Sequence, residues 1–177
     1  MTTALVRTRT ATLDDVEPVV ALHARCSPAT LHHRFHVPVP DVHDRLVRRL
    51  IAPPGGWSVL AEQRGQLVGL GCAGPLSRTE LEVGLLVDDA HQGSGVGSRM
   101  LRELAREGRL RGYRAIICLA ESDNASVLPT VRRAGLDGDA TVVDGLLAIV
   151  VPLPVWPGAA PPGLAAPSPS PAARRGP

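Results

Sequence analysis

The chain contains no lysine, and all nineteen of its basic side chains are arginine. That excludes the lysine-dependent Walker type of phosphate loop, and it excludes self-modification at lysine. Aromatic residues are equally scarce, with one Tyr, one Phe and two Trp among 177 residues. A cage of rings around a quaternary ammonium is therefore disfavoured. The three cysteines, Cys26, Cys72 and Cys118, are odd in number and widely spaced, which suggests neither a disulfide framework nor a zinc motif. No apolar run is long enough to span a bilayer, and no basic start precedes an apolar signal segment. A net charge of +2 is too small to argue for a nucleic-acid or membrane partner. A cytoplasmic protein is the expectation. His32, His33 and His36 lie close in sequence, but nothing in their spacing supplies a third or fourth ligand of another kind, so no metal is expected.

What the chain does have is a hydrophobic content of 44%, enough for one sizeable core. Its most informative stretch is Val87-Asp88-Asp89-Ala90-His91-Gln92-Gly93-Ser94-Gly95-Val96-Gly97-Ser98. Before it, Leu81 to Val87 reads as a buried strand. After it, Met100, Leu101, Leu104 and Ala105 recur at helical spacing, with arginines and Glu103 on the other face. A glycine turn that opens a helix leaves backbone N–H groups unpaired at the positive end of the helix dipole. Such a turn is an anion site, often for phosphate.

The remaining elements follow from local signals. Leu5 to Arg9 is a candidate first strand, and Thr12 with Asp15 caps a helix that buries Val16, Val19, Val20 and Leu22. Ser27-Pro28 starts a short helix, and another is predicted from Asp41 to about Ile51. Trp57–Glu62 and Gln66–Leu70 form a hairpin about Arg64-Gly65, and Leu81–Val87 continues the meander. Tyr113–Ala120 reads as a strand, and Ala140–Val143 with Leu146–Val151 reads as a final hairpin about Asp144-Gly145. From Pro152 onward Pro, Ala, Gly and Ser dominate. Residues 1–151 are thus expected to form one domain, and residues 152–177 a disordered tail.

Two families compete for the glycine loop. Gly93-Ser94-Gly95-Val96-Gly97-Ser98 approaches a dinucleotide fingerprint, with Glu121 near the place of a ribose-binding acid. Against it, the loop follows antiparallel hairpins, and it begins with Gln92. Gln92-x-x-Gly95-x-Gly97 resembles the acyl-CoA loop of the GNAT superfamily of N-acetyltransferases. The resemblance extends to the next strand and to Asn124-Ala125-Ser126-Val127 through Arg133-Ala134-Gly135-Leu136, where Pro129 departs from it by kinking or delaying the helix. Ser27-Pro28-Ala29-Thr30 through Arg34-Phe35, together with Glu82 to Asp89, is similar to the bacterial protein lysine acetyltransferase branch.

This resemblance implies an α/β fold with a mixed, mostly antiparallel sheet of six or seven strands. Helices would cover both faces, and a splay between strands 4 and 5 would admit acetyl-CoA. It further implies that the backbone of Leu85, Leu86 and Val87 pairs with the pantetheine arm. The pyrophosphate would rest on amides in the run Gln92, Gly93, Ser94, Gly95, Val96, Gly97 and Ser98. Asn124 would lie near the arm, or it is a plain helix cap. Arg99 or Arg132 is either a phosphate contact or a solvated helix residue.

The implied reaction is acetyl transfer from acetyl-CoA to a primary amine, of a protein lysine or a small molecule, by direct attack in a ternary complex. An amine of pKa near 10.4 costs about 4.6 kcal/mol to deprotonate at pH 7, so a nearby base helps. Glu82 is the candidate, with Glu80 as the alternative on the same strand face. The family's usual tyrosine acid, seven residues after Asn124, is Val131 here. A non-catalytic acyl-CoA-binding module and a Rossmann-type NAD(P)-binding oxidoreductase therefore stand as alternatives. Neither the acceptor nor the oligomeric state is legible.

Overall fold

The computed structural model describes residues 5–37 and 42–154. Its seven strands are β1 (Val6–Thr10), β2 (Trp57–Gln63), β3 (Gln66–Pro75), β4 (Glu80–Val87), β5 (Ala115–Glu121), β6 (Asp139–Val143) and β7 (Leu146–Pro152). They form one sheet in the order β1-β2-β3-β4-β5-β7-β6. Every neighbouring pair is antiparallel except β4 and β5, which are parallel. The five α-helices are α1 (Val16–Arg25), α2 (Pro28–Phe35), α3 (Asp44–Ile51), α4 (Val96–Leu110) and α5 (Val127–Arg133).

Local chemistry sets the boundaries. Both residues of the Arg64-Gly65 turn have positive φ, as do both of Asp144-Gly145, the backbone that joins two strands by a tight hairpin. Thr12 and Asp15 form the expected capping box ahead of α1. Ser27 accepts from the Thr30 amide at the start of α2, with Pro28 in the first helical position. The third helix is shorter than predicted: it starts at Asp44, where the His43 ring accepts from the Leu46 amide, and Asp41 lies outside the described residues.

Alternation along β4 sorts its side chains to the two faces of the sheet. Leu81, Val83, Leu85 and Val87 face the core built on α4, whereas Leu86 faces the core built on α1 and α3. Helix α4 buries Val96, Met100, Leu101, Leu104 and Ala105 along one side. Each of its fully buried large side chains contributes about 1.5–3 kcal/mol. The helix approaches β3 closely because Gly69 and Gly71 stand beneath it. A Cβ on Gly69 would fall 2.8 Å from the Met100 methyl, and one on Gly71 3.1 Å from Leu104.

The expected domain boundary after residue 151 falls inside β7, which runs on to Pro152. Leu153 is buried, its amide donates to the Arg114 carbonyl at 2.7 Å, and its side chain packs over Gly108. Proline is tolerated at a strand end, where no ladder donor is needed. The rest of the predicted tail, from residue 155, lies outside the described residues.

Candidate active site

The parallel pairing of β4 with β5 extends over three residue pairs only, Glu80↔Ala115, Leu81↔Ile116 and Glu82↔Ile117. Beyond Glu82 the strands part, while β4 keeps its antiparallel partner β3 as far as Val87. Leu85, Leu86 and Val87 therefore present a strand edge to the gap instead of to β5. The gap opens into a cleft of about 560 Å³. Its walls are the end of β4, the glycine loop, the start of α4, the β5–α5 connection and the end of α2.

The cleft gathers most of the residues expected from sequence. Glu82, Leu85, Leu86, Val87, Gln92, Gly93, Gly95, Gly97, Ser98 and Asn124 all line it. Ser94 and Val96 do not: the Ser94 hydroxyl donates to the His91 carbonyl at 2.5 Å, and Val96, the first residue of α4, is buried in the core beneath the helix's own inner face. Gly93 and Gly95 have φ of 71° and 93°, a left-handed backbone that disfavours any side chain. Gly97 differs, since a Cβ there would meet nothing closer than Thr130 at 3.5 Å. The protein itself tolerates a side chain at 97, and the space it would fill belongs to the cleft. Val96, Gly97 and Ser98 open α4, so their amides lack intrahelical partners.

Asn124 is not the helix cap. Pro129 delays α5, which begins at Val127 with Ser126 as its cap residue. The Asn124 side chain accepts from the amide and the hydroxyl of Ser126, at 3.3 Å and 2.6 Å, an Asx turn that precedes the helix. Neither Arg99 nor Arg132 lines the cleft. The arginine at the loop is Arg133, whose guanidinium donates to the Gly93 carbonyl at 3.4 Å.

Geometry separates the two candidate bases. Glu82 is exposed in the cleft, and among the described residues nothing hydrogen-bonds or ion-pairs with its carboxylate. Glu80 lies outside the cleft and accepts from the Ser77 hydroxyl at 2.9 Å. Arg34 is a residue whose place the sequence did not reveal. Its guanidinium lies across Gly84, where a Cβ would fall 2.6 Å from Nη1 and 2.7 Å from Cζ. The Arg34 Nε is shut off from solvent with no hydrogen-bond partner among the described residues. Glu82 and Gly84 share one face of β4, so the Glu82 carboxylate and the Arg34 guanidinium line the same wall of the cleft.

Cys118 also lines the cleft. Burial, aided by the charge of Glu82, pushes its thiol up to about 12, and a protonated thiol is a poor nucleophile. No tyrosine lines the cleft: Val131 is buried in its wall, and Tyr113 packs against Trp57.

Four polar residues tie α2 to the glycine loop. The Asp89 carboxylate accepts from the Ser27 amide (2.8 Å), the Ser27 hydroxyl (2.7 Å) and the Thr30 hydroxyl (2.9 Å). Thr30 in turn accepts from the Gln92 amide group (2.9 Å), which also donates to the Val87 carbonyl (3.1 Å). These bonds to Asp89 hold its carboxyl below the usual carboxylate range even though desolvation opposes them.

The topology is not that of a dinucleotide fold. The strand before the loop is antiparallel to one neighbour and briefly parallel to the other, and Glu121 is taken up by His32 and His33. A sheet that parts after Glu82, beside a glycine turn opening a helix, defines an α/β domain built to receive an extended, phosphate-bearing ligand. The sequence model of the Acetyltransferase (GNAT) family matches residues 17–136, and the chain belongs to that family.

Among solved structures, the GNAT domain of S. lividans PAT aligns with a TM-score of 0.75 at 26% identity, over 84% of this chain and 90% of that one. The putative acetyltransferase yncA from Salmonella typhimurium, solved with its cofactor acetyl-CoA, aligns with a TM-score of 0.69 at 23% identity, over 90% and 99% of the two chains. A phosphinothricin acetyltransferase from Sinorhizobium meliloti in complex with AcCoA gives 0.64 at 19% identity, over 86% and 89%. No curated protein matches the sequence significantly. No helix among the described residues is long and apolar enough to cross a membrane.

Proposed function

We propose that the chain moves an acetyl group from acetyl-CoA to a primary amine by direct attack in a ternary complex. The observation that carries this is the parting of β4 from β5 after Glu82, which leaves the Leu85–Val87 edge unpaired beside the glycine loop. That edge would take the pantetheine amides, and the amides from Gly93 to Ser98 would take the pyrophosphate. Asn124 would lie beside the arm. Solved GNAT structures that hold acetyl-CoA support this assignment of the ligand.

Glu82 would accept a proton as the amine nitrogen bonds to the thioester carbonyl carbon. The carbon–sulfur bond then breaks, and the thiolate leaves with the electron pair. A thiol of pKa near 8.5 is a workable leaving group without an acid, so the valine at 131 does not block turnover. A relay through Cys118 is disfavoured by its raised pKa, which supports one-step transfer with both substrates bound. Holding them together supplies much of the acceleration. The acceptor class is a primary amine, of a protein lysine or a small molecule. A cytoplasmic location fits three free, buried cysteines.

Calorimetric titration with acetyl-CoA, with NAD as control, tests the ligand, and thiol release in the presence of primary amines tests the reaction. Saturable binding of acetyl-CoA alone and amine-dependent thiol release are expected. Failure to bind acetyl-CoA would overturn the proposal. Saturable binding without thiol release would establish the second reading, a non-catalytic acyl-CoA-binding module, which the lack of a tyrosine lining the cleft favours.

A further inference from the structure

A second hollow, of about 470 Å³, lies between α2, the end of β5 and the β6–β7 turn. Its lining holds three carboxylates, Glu121, Asp123 and Asp144, together with His32 and His33. No arginine lines it, although arginine supplies every basic group but histidine in this chain. The hollow is thus a local excess of negative charge with imidazoles at its edge.

Within it, donor atoms of His33, Glu121 and Asp123 all lie within 4.8 Å of one another. His33 Nδ1 is 3.1 Å from Glu121 Oε2. That nitrogen is shut off from solvent, and the pair lacks hydrogen-bond geometry. Two donors each about 2.0–2.1 Å from one tetrahedral zinc stand about 3.3–3.4 Å apart, and at right angles about 3.0 Å. The separation therefore suits two donors that share an ion. His32 Nε2 lies 2.7 Å from the other oxygen, Glu121 Oε1, the outer contact that orients a ligating carboxylate.

We propose that His33, Glu121 and Asp123 form a binding site for a divalent transition metal, zinc being the ion that fits best. One imidazole and two carboxylates favour zinc over magnesium or calcium, which prefer oxygen donors throughout. The sequence hid the site because the histidines sit on α2, whereas Glu121 ends β5 and Asp123 follows it, some ninety residues later. The ion would join α2 to the end of β5 on the far side of the splay. His33 and Asp123 also line the main cleft, so the bound metal would brace its wall. The proposal is independent of the reaction assigned above, since its readout is metal binding alone.

The test is calorimetric titration of tag-free full-length protein with zinc chloride, with magnesium and calcium chlorides as comparisons. One equivalent of zinc should bind, with a zinc-dependent rise in Tm. His33→Ala and Asp123→Ala should each weaken binding at least tenfold. Both positions are on or beside the surface, and circular dichroism of each variant checks that the fold is kept. Absence of zinc binding up to millimolar concentration would overturn the proposal. So would zinc binding that survives in both folded variants, or a site that takes magnesium or calcium in preference to zinc.

Discussion

Glu82→Gln is the substitution that bears most directly on the chemistry. It removes the proton acceptor while keeping the shape of the side chain. An amine of pKa near 10.4 must lose about 4.6 kcal/mol worth of protonation at pH 7, and a placed general base typically contributes 10²- to 10⁴-fold, about 2.7–5.5 kcal/mol. The structure supplies the control on the same strand face. Glu80 is outside the cleft and bound to Ser77, so Glu80→Gln should change kcat/KM less than threefold. Amine-dependent thiol release at pH 7 is the assay, with acetyl-CoA affinity measured for each variant. The expected result is a loss of 10²-fold or more in Glu82→Gln with acetyl-CoA affinity kept. The deficit should narrow as pH rises toward that of the free amine. Activity within threefold of the parent, or an equal loss in Glu80→Gln, would refute the reasoning.

Gly97→Ala should leave Tm unchanged or slightly raised, because the new methyl meets no atom closer than 3.5 Å, yet acetyl-CoA affinity should fall at least tenfold. Gly95→Ala, at φ 93°, should instead cost about 1–2 kcal/mol in chemical denaturation. Gly84→Ala drives a methyl into the guanidinium of Arg34. If that contact sets activity, Gly84→Ala and Arg34→Ala should lower kcat/KM to a similar extent, with the double variant no worse than either, and additive losses would refute the coupling. The Arg9 guanidinium, at 2.7 Å, holds the Asp15 carboxyl at about 2 instead of 3.8. A depressed carboxylate stabilises fully above its unfolded value, and the contribution is lost as pH falls from about 4 to 2. Asp15→Asn should therefore cost about 1–2 kcal/mol at pH 7 and almost nothing at pH 2, by urea denaturation.

The parts of the fold that could be read from sequence are those fixed by a few adjacent residues. The hairpins at Arg64-Gly65 and Asp144-Gly145 were legible because positive φ is a local demand. The run from Gly93 to Ser98 was legible because a glycine-rich strand-to-helix turn has few other uses. Features set by distant partners were not. Nothing near Asn124 shows that Pro129 shifts the helix start to Val127, leaving Asn124 to make its own turn. The proline at 152 reads as a break, but Leu153 finds its place only against Gly108, more than forty residues earlier. Glu80 and Glu82 are equivalent by alternation and differ only once Ser77 folds back on one of them. Arg34 could not be placed because its neighbour, Gly84, lies on another element.

The polar bridge between α2 and the glycine loop fixes the start of α2 against the cofactor loop. Asp89 and Gln92 belong to the segment that leads into α4, whereas Ser27 and Thr30 belong to the start of α2. Three of these bonds join side chain to side chain and one comes from the Ser27 backbone amide, and together they fix the relative position of the two elements. Farther along α2, His33 and Arg34 enter the cleft and take no part in the bridge. The first turn of α2 is therefore held by the loop, whereas its last turn lines the cleft. Exchanging residues 33–36 should alter acceptor choice while leaving acetyl-CoA affinity intact. Replacing Asp89 should damage both, since it releases the helix and the loop together.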